Sequence, residues 1–227
     1  MAISSSKKVV KSRVLVADDH PLLRAGVSQL INRQEDLVCC GEAHDAASTQ
    51  TAVATHNPDL LLLDLRLGHG DGLEFIKSLK SQFQNLAILV FSQLDEKLYA
   101  ERALRAGALG YVMKENATDE VLTAIRTVLN GDLYVSRSIA VLALHKSLRT
   151  KTDNKGLGVE NLTDRELQVF QLLGAGMNTR QIAEELSLSQ KTIETHRENI
   201  KQKLGLQSAP ETVRYATAWV QGSPPLS

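Results

Sequence analysis

The chain has 227 residues, enough for one large domain or two small ones, and its 26 basic and 26 acidic side chains give a formal net charge of zero. This balance excludes a global electrostatic attraction to nucleic acid or anionic membranes, so any such binding must depend on local features. Cys39 and Cys40 are adjacent and provide no disulfide framework. No apolar run has the length of a membrane span, and residues 1–8 are not followed by the apolar region of a signal peptide. We therefore expect a cytoplasmic protein.

Apolar strands alternate with helical patterns in the first half of the chain. Strands are predicted over residues 14–17, 37–40, 60–63, 86–91 and 109–113. Helices are predicted to begin at Pro21 and to cover residues 45–55, 73–82, 96–106 and 117–130. This alternation predicts an α/β fold, a five-stranded doubly wound parallel sheet with the flavodoxin-like strand order 2-1-3-4-5.

The pattern changes after Gly131, where the strands end. A short connecting helix is predicted over residues 135–148 and a flexible linker over 149–158. A small all-α domain follows, whose helix starts are marked by three N-caps: Thr163, which forms a capping box with Glu166, then Asn178 and Ser189. The tight turn at Ser187-Leu188 gives the last two of these helices the spacing of a helix-turn-helix.

Reactive polar side chains follow four of the predicted strands. Asp18 and Asp19 end the first strand and Asp64 ends the third, which is its neighbour in the predicted order. Three carboxylates side by side resist ionisation unless a cation neutralises them, so we expect Asp18 and Asp19 to hold Mg²⁺ and Asp64 to attack phosphorus. Ser92 and Lys114 end the last two strands and suit binding of the transferred oxygens. Any one of these five residues could simply be a solvated polar residue at a strand end. Five of them at the ends of four neighbouring strands favour a phosphoryl-transfer site.

These residues resemble the receiver domain of two-component response regulators. The flanking sequence matches as well, in Val16-Ala17-Asp18-Asp19-His20-Pro21, in Asp71-Gly72 and in the run from Arg105 to Lys114. The resemblance covers residues 12–131 and implies that Asp64 takes phosphate from a sensor histidine kinase or a small phosphodonor. It also implies that the backbone carbonyl of Arg66 joins Asp18, Asp19 and Asp64 as a metal ligand. Ser92 and Tyr111 would form a switch pair, with the aromatic ring turning inward behind the hydroxyl.

Departures and competing functions qualify this resemblance. Residues 67–70 replace the usual Met-Pro-Gly loop, and Gln93 and Glu115 stand where a small residue and a proline are frequent. A phosphohydrolase with an aspartate nucleophile needs an acid two residues later, where this chain has Arg66, so no enzyme activity on a separate substrate is expected. The glycines of residues 68–72 lack the spacing of a dinucleotide-binding loop. Four histidines lack ligand spacing and are expected on the surface: His20, His44, His56 and His69.

The helix after Ser189 has a polar face suited to a DNA major groove. Ile193, Ile200 and Leu204 are expected to pack inward, which leaves as candidate DNA contacts Lys191, Thr192, Glu194, Thr195, Arg197, Glu198 and Lys201. This helix is only mildly basic, so a monomer should bind DNA weakly and a homodimer is expected. On pattern alone, a helical bundle that binds protein is equally compatible.

Several short motifs in this domain resemble the LuxR-type DNA-binding module, among them Leu162-Thr163, Ile182-Ala183, Thr192 to His196, and Lys203-Leu204. The resemblance covers residues 160–222, with residues 132–159 as connecting helix and linker. It implies binding to a double-stranded DNA operator and dimerisation through the last helix, with Val213, Ala216 and Val220 as candidates.

Together the halves resemble NarL/FixJ-type response regulators and predict a transcription factor governed by phosphorylation of Asp64. The alternative is a phosphorylation-switched protein-interaction module that does not bind DNA, which Glu194, Glu198 and the zero net charge favour. A receiver that no longer needs phosphate is disfavoured by the intact acidic cluster.

Overall fold

The computed structural model describes residues 10–68, 71–115, 118–148 and 158–222. Two compact units divide between Leu144 and His145, the first of α/β type and the second helical. Most of the predicted linker over 149–158 lies outside the described residues. So do residues 69–70, which belong to the loop whose sequence differs from the usual Met-Pro-Gly. In the described part, no helix combines the length and apolar character needed to cross a membrane.

The first unit is built on a parallel sheet in the order β2-β1-β3-β4-β5, which confirms the predicted topology. Its strands are β1 (Ser12–Ala17), β2 (Leu37–Ala43), β3 (Leu60–Leu63), β4 (Ala87–Ser92) and β5 (Gly110–Met113). All four leucines of β3 are buried because helices cover both faces of the sheet. Ala17 pairs with Leu63, so the residues that follow β1 and β3 emerge side by side.

Five helices flank the sheet, and their starts follow the signals in the sequence. They are α1 (Pro21–Asn32), α2 (Ala46–His56), α3 (Gly72–Gln82), α4 (Glu96–Ala106) and α5 (Thr118–Leu129). The side chains of Asp45, Asp71 and Asp95 cap α2, α3 and α4 by accepting bonds from backbone N–H groups. Gly72 lies so close to β3 that a Cβ atom there would be 2.3 Å from the carbonyl oxygen of Leu65. Only glycine allows α3 to begin at that point.

The start of the connecting segment packs on the first unit. Tyr134 forms an isolated parallel bridge with Gly110, through bonds of 2.9 Å from Tyr111 N to Tyr134 O and from Tyr134 N to Leu109 O. The helix α6 (Arg137–Leu148) follows, and its Ile139 is buried. The first unit therefore extends beyond residue 131, because main-chain pairing along β5 continues to Tyr134.

The second unit contains α7 (Asp164–Gly174), α8 (Thr179–Glu185), α9 (Gln190–Lys203) and α10 (Ala209–Val220). The predicted caps are confirmed: Thr163 and Asn178 form complete capping boxes, and Ser189 accepts a bond from Thr192 N. Phe170 of α7 packs against two rings of α10, with centroid distances of 6.0 Å to Tyr215 and 5.6 Å to Trp219. These aromatic contacts hold α7 and α10 together.

Candidate functional site

A buried ammonium group joins two carboxylates at the carboxyl edge of the sheet. Lys114 Nζ, just after β5, lies 2.7 Å from Asp18 Oδ2 and 2.7 Å from Asp64 Oδ2. All three side chains are at most 4% exposed. Buried charges are stable only when they are paired and hydrogen-bonded, and this bridge pairs the cation with the ends of two neighbouring strands. The sequence prediction that these three residues meet is therefore matched by the geometry.

The second oxygen of Asp64 is held separately. Ser92, the last residue of β4, donates its hydroxyl to Asp64 Oδ1 at 2.8 Å, and Arg66 N donates to the same oxygen at 3.2 Å. Ser92 is completely buried. Donors from the end of β4 and from the loops that follow β3 and β5 thus fix both oxygens of one carboxylate. A group held in this way is oriented before it reacts, which lowers the entropic cost of attack.

The same edge of the sheet offers oxygen donors that suit a divalent cation. Single ligand atoms of Asp18, Asp19, His20 and Asp64 all lie within 4.8 Å of one another. Three carboxylates against the one ammonium of Lys114 leave a formal charge of minus two, which a divalent ion would neutralise. Hard cations such as Mg²⁺ prefer carboxylate and carbonyl oxygens, so the donor set fits Mg²⁺.

His20 is closer to this cluster than the sequence suggested. Its side chain is 54% exposed, as expected, but Nδ1 lies 2.7 Å from Asp19 Oδ1 and 3.3 Å from Asp18 Oδ1. Its backbone N–H also donates to Asp18 Oδ1 at 2.9 Å. The sequence feature that could have indicated this contact is the position of His20 directly after Asp18 and Asp19. The chain turns into α1 at His20, which brings the imidazole ring back against the two carboxylates.

Tyr111 of β5 lies inward beside Ser92. Its ring is 1% exposed, and its hydroxyl donates to the carbonyl of Leu94 at 2.7 Å. Burial raises the pKa of Tyr111 well above its usual value, so the phenol remains protonated and acts as a donor. Leu94 N in turn lies 3.4 Å from the Ser92 hydroxyl oxygen. The Tyr111 ring therefore lies inward, and its coupled movement with Ser92 as a switch pair stays a prediction.

The first residue of α4 also contacts the connecting segment, which the sequence did not indicate. Glu96, two residues after Leu94, accepts hydrogen bonds from Ser136 Oγ at 2.8 Å and from Ser138 Oγ at 2.6 Å. Tyr111 meets the same segment through its backbone bond to Tyr134. The surroundings of Ser92 are therefore linked to the start of α6 by two sets of hydrogen bonds.

In the second unit, α9 has the predicted two faces. Ile193, Ile200 and Leu204 are buried, which confirms the inward face. Of the candidate DNA contacts, Lys191, Glu194, Thr195 and Glu198 are exposed, whereas Thr192, Arg197 and Lys201 are half-buried.

Some of these candidates already have partners. Arg197 Nη1 donates to Thr179 Oγ1 at 2.5 Å, and Lys201 Nζ lies 2.8 Å from Glu198 Oε2. Hydrogen bonds from Lys201 and Gln202 lower the pKa of Glu198. Arg197 therefore also ties α9 to the start of α8.

An ion pair between a half-buried lysine and a buried glutamate fixes α9 against α7. Lys203 Nζ lies 2.6 Å from Glu166 Oε2, and the same oxygen accepts the backbone N–H of Thr163 at 2.8 Å. The sequence indicated only the capping-box role of Glu166, because its second partner lies 37 residues away. His196 faces the same region with Nδ1 buried and, among the described residues, without a hydrogen-bond partner; burial lowers the pKa of His196.

The expected dimer face on α10 needs a correction. Ala216 is 0% exposed, because α10 crosses α7 so closely that a Cβ atom on Gly174 would lie 2.4 Å from the Ala216 carbonyl oxygen. Ala216 thus belongs to the core of its own domain and offers no surface to a partner. Val213 is half-buried and Val220 is 45% exposed, so these two remain available.

Both halves of the chain match known protein families. Residues 14–126 match the response regulator receiver domain, and residues 160–216 match the bacterial regulatory proteins of the luxR family. The oxygen regulatory protein NreC of Staphylococcus epidermidis is 33% identical over 209 residues, covering 90% of this chain and 96% of that protein. NreC of Staphylococcus aureus is 34% identical over 208 residues, with the same coverage of each chain.

The fold also has close counterparts among solved structures. RcsB from Salmonella enterica serovar Typhimurium, bound to promoter rprA in the presence of the phosphomimetic BeF3−, gives a TM-score of 0.68 at 25% identity. That alignment covers 92% of this chain and 99% of RcsB. A two-component response regulator of the LuxR family from Aurantimonas gives 0.57 at 29% identity, covering 62% of this chain and all of that one.

Proposed function

Because this chain belongs to the NarL-type response regulators, which join a receiver to a LuxR-type DNA-binding domain, we propose that Asp64 is its phosphoryl acceptor and α9 its DNA-reading helix. The protein is a phosphorylation-regulated, DNA-binding transcription regulator rather than a conventional enzyme. The observation that carries the acceptor assignment is the Asp64 carboxylate held by Lys114 and Ser92 beside Asp18.

The proposed reaction transfers a phosphoryl group to the receiver itself. An oxygen of Asp64 attacks phosphorus, the bond from phosphorus to the donor breaks, and an acyl phosphate forms on Asp64. The donor is a phosphorylated histidine of a sensor kinase or a small phosphodonor. Lys114 and Ser92 already donate to the Asp64 oxygens, so they are placed to bind oxygens of the incoming group.

Mg²⁺ completes this proposal. Asp18, Asp19, Asp64 and the backbone carbonyl of Arg66 would hold the ion, whose positive charge offsets that of the carboxylates and the phosphoryl oxygens. Asp18 also retains Lys114, which keeps the ammonium in place while Asp64 changes its charge.

We further propose that the signal leaves the receiver through the segment that joins Leu94 to Glu96. A phosphoryl group on Asp64 competes for the Ser92 hydroxyl, and Ser92 contacts Leu94, which holds Tyr111. Glu96 holds Ser136 and Ser138 at the start of α6. A change at Ser92 therefore reaches the connecting segment through neighbouring bonds, and phosphorylation acts by favouring one of two arrangements.

The DNA-binding half of the proposal rests on the exposed face of α9. Its proposed contacts are Lys191, Thr192, Glu194, Thr195, Arg197, Glu198 and Lys201. We propose a homodimer on a double-stranded operator, with Val213 and Val220 in the interface, because one mildly basic helix binds DNA weakly. RcsB, which shares the fold over most of both chains, has been seen on a promoter in the presence of a phosphomimetic. A regulator of this type would act in the cytoplasm.

Capture of genomic DNA fragments with Mg²⁺, with and without BeF3−, tests the whole proposal. We expect the loaded protein to enrich particular fragments and the unloaded protein to enrich them less. Asp64→Asn should lose both the response to BeF3− and labelling by a radioactive phosphodonor, whereas persistent labelling at full stoichiometry would contradict the acceptor assignment. Lys191→Ala should weaken DNA binding at every salt concentration, and unchanged binding would mean that the reading helix has been misplaced.

A further inference from the structure

The exposed face of α9 carries a carboxylate at a position suited to base contact. Glu194 is the fifth residue of the helix and is exposed, about 100° around the helix axis from the buried Ile193. In a helix that enters the major groove, side chains of the N-terminal half reach the base edges. Glu194 is thus placed to meet bases, if α9 binds DNA as proposed above.

Glu194 differs from the other acidic residue on this face. Glu198 is held by Lys201 at 2.8 Å and by Gln202 at 3.2 Å. Glu194 has no side-chain hydrogen bond or ion pair to any residue that the structure describes, although it lines the same recess as Arg197 and Lys201. Its carboxylate oxygens therefore keep their full capacity to accept hydrogen bonds from a ligand.

A free carboxylate in a DNA groove is repelled by the phosphates, so it needs a donor there to compensate. Only two bases present amino groups in the major groove, cytosine at N4 and adenine at N6. The adenine amino group lies between the acceptors N7 of adenine and O4 of thymine, which both repel a carboxylate. The cytosine amino group has an acceptor on one side only, the O6 of the paired guanine. The carboxylate therefore favours cytosine.

We propose that Glu194 is a specificity-determining residue that selects cytosine at one position of each operator half-site. This inference rests on the proposed DNA-binding role of α9 and adds the base that one side chain reads. Lys191, three residues earlier on the exposed face, supplies a positive charge that reduces the repulsion between Glu194 and the phosphates.

The test uses the full chain with Mg²⁺ and BeF3− to select binding sites from DNA with randomised sequence. Three proteins are compared: the wild type, Glu194→Gln, and the matched control Glu184→Gln, which removes one negative charge from α8. We expect the wild type and the control to enrich the same motif with a fixed cytosine. Glu194→Gln should shift that one position toward adenine, since glutamine donates to N7 and accepts from N6, and leave the others unchanged.

A second measurement uses only the wild-type protein and one chemical change in the DNA. The selected cytosine is replaced by an analogue that lacks the 4-amino group, and the affinity is expected to fall ~10-fold, as for loss of one hydrogen bond to a charged group. An unchanged motif for Glu194→Gln, or unchanged affinity for the analogue, would overturn the inference and leave DNA binding intact. If the wild type enriches no motif at all, the proposed DNA-binding function itself fails.

Discussion

The ion pair of Lys203 and Glu166 gives a sharp prediction about the second unit. Lys203→Met keeps the hydrocarbon stem and removes the ammonium, which leaves the buried Glu166 carboxylate with its bonds to Thr163 alone. Breaking a fully buried pair costs about 3–5 kcal/mol. The Lys203 side chain is 37% exposed, so water replaces part of the interaction and a loss of about 2 kcal/mol is expected.

Calorimetry of the full chain measures this loss. For a unit of this size, a loss of about 2 kcal/mol lowers the unfolding temperature by roughly 10 °C. The transition of the first unit serves as an internal reference, and Lys191→Met, on the exposed face of α9, is the matched control. An unchanged second transition, or an equal shift with Lys191→Met, would show that the pair does not anchor α9.

The pH dependence of the same variant has a defined sign. Burial raises the pKa of Glu166, but hydrogen bonds from Lys203 and Thr163 outweigh it and hold that pKa below the usual value of 4.5. A carboxyl group whose pKa is depressed by folding contributes stability that is present above its unfolded pKa and is lost as the pH falls through the folded pKa. The difference between wild type and Lys203→Met should therefore be full at pH 7 and shrink below about pH 4. A difference that stays constant down to pH 3 would refute the electrostatic account.

Three further predictions concern the receiver. Lys114→Met removes the cation shared by Asp18 and Asp64, so Mg²⁺ should bind more tightly, as measured by calorimetry, while phosphorylation slows about 100-fold or more. Weaker Mg²⁺ binding would contradict the idea that Lys114 and Mg²⁺ compete for the same carboxylates. Glu96→Gln weakens the hydrogen bonds from Ser136 and Ser138, so the gain in DNA affinity on adding BeF3− should shrink while the affinity without BeF3− stays the same. An undiminished gain would show that the signal does not pass through Glu96. Gly110→Ala places a Cβ atom 2.7 Å from the Tyr134 carbonyl oxygen, so hydrogen exchange of the Tyr111 and Tyr134 amides should accelerate, and unchanged exchange would mean that the bridge tolerates the methyl group.

The receiver sheet and its reactive edge were predictable because they follow from local pattern and topology. The four leucines of β3 indicate a strand buried on both faces, and the strand order then brings Asp18 beside Asp64. The helix caps at Thr163, Asn178 and Ser189 were equally local, since each side chain bonds within its own first turn.

Features that depend on packing between distant segments could not be read from pattern. Nothing near Glu166 or Lys203 in the sequence signals their pairing, and the hydrogen bond that Ser136 donates to Glu96 spans 40 residues. Ala216 was assigned to a dimer face by analogy, whereas the close crossing of α7 and α10 buries it. A small residue on a helix suits either a core or an interface, and only the three-dimensional neighbours distinguish the two.

The bridge between Tyr134 and β5 bears on how two receivers can associate. A strand at the edge of a sheet exposes unpaired N–H and C=O groups, which invite strand addition from another chain. Here the amide of Tyr111 and the carbonyl of Leu109 are already bonded to Tyr134. At the opposite edge, the pairing of β1 with β2 skips Cys40, and such a bulge twists an edge strand away from a flat partner. With both edges blunted, association of two receivers by sheet extension is disfavoured, and aggregation by that route is suppressed as long as the connecting segment stays on β5.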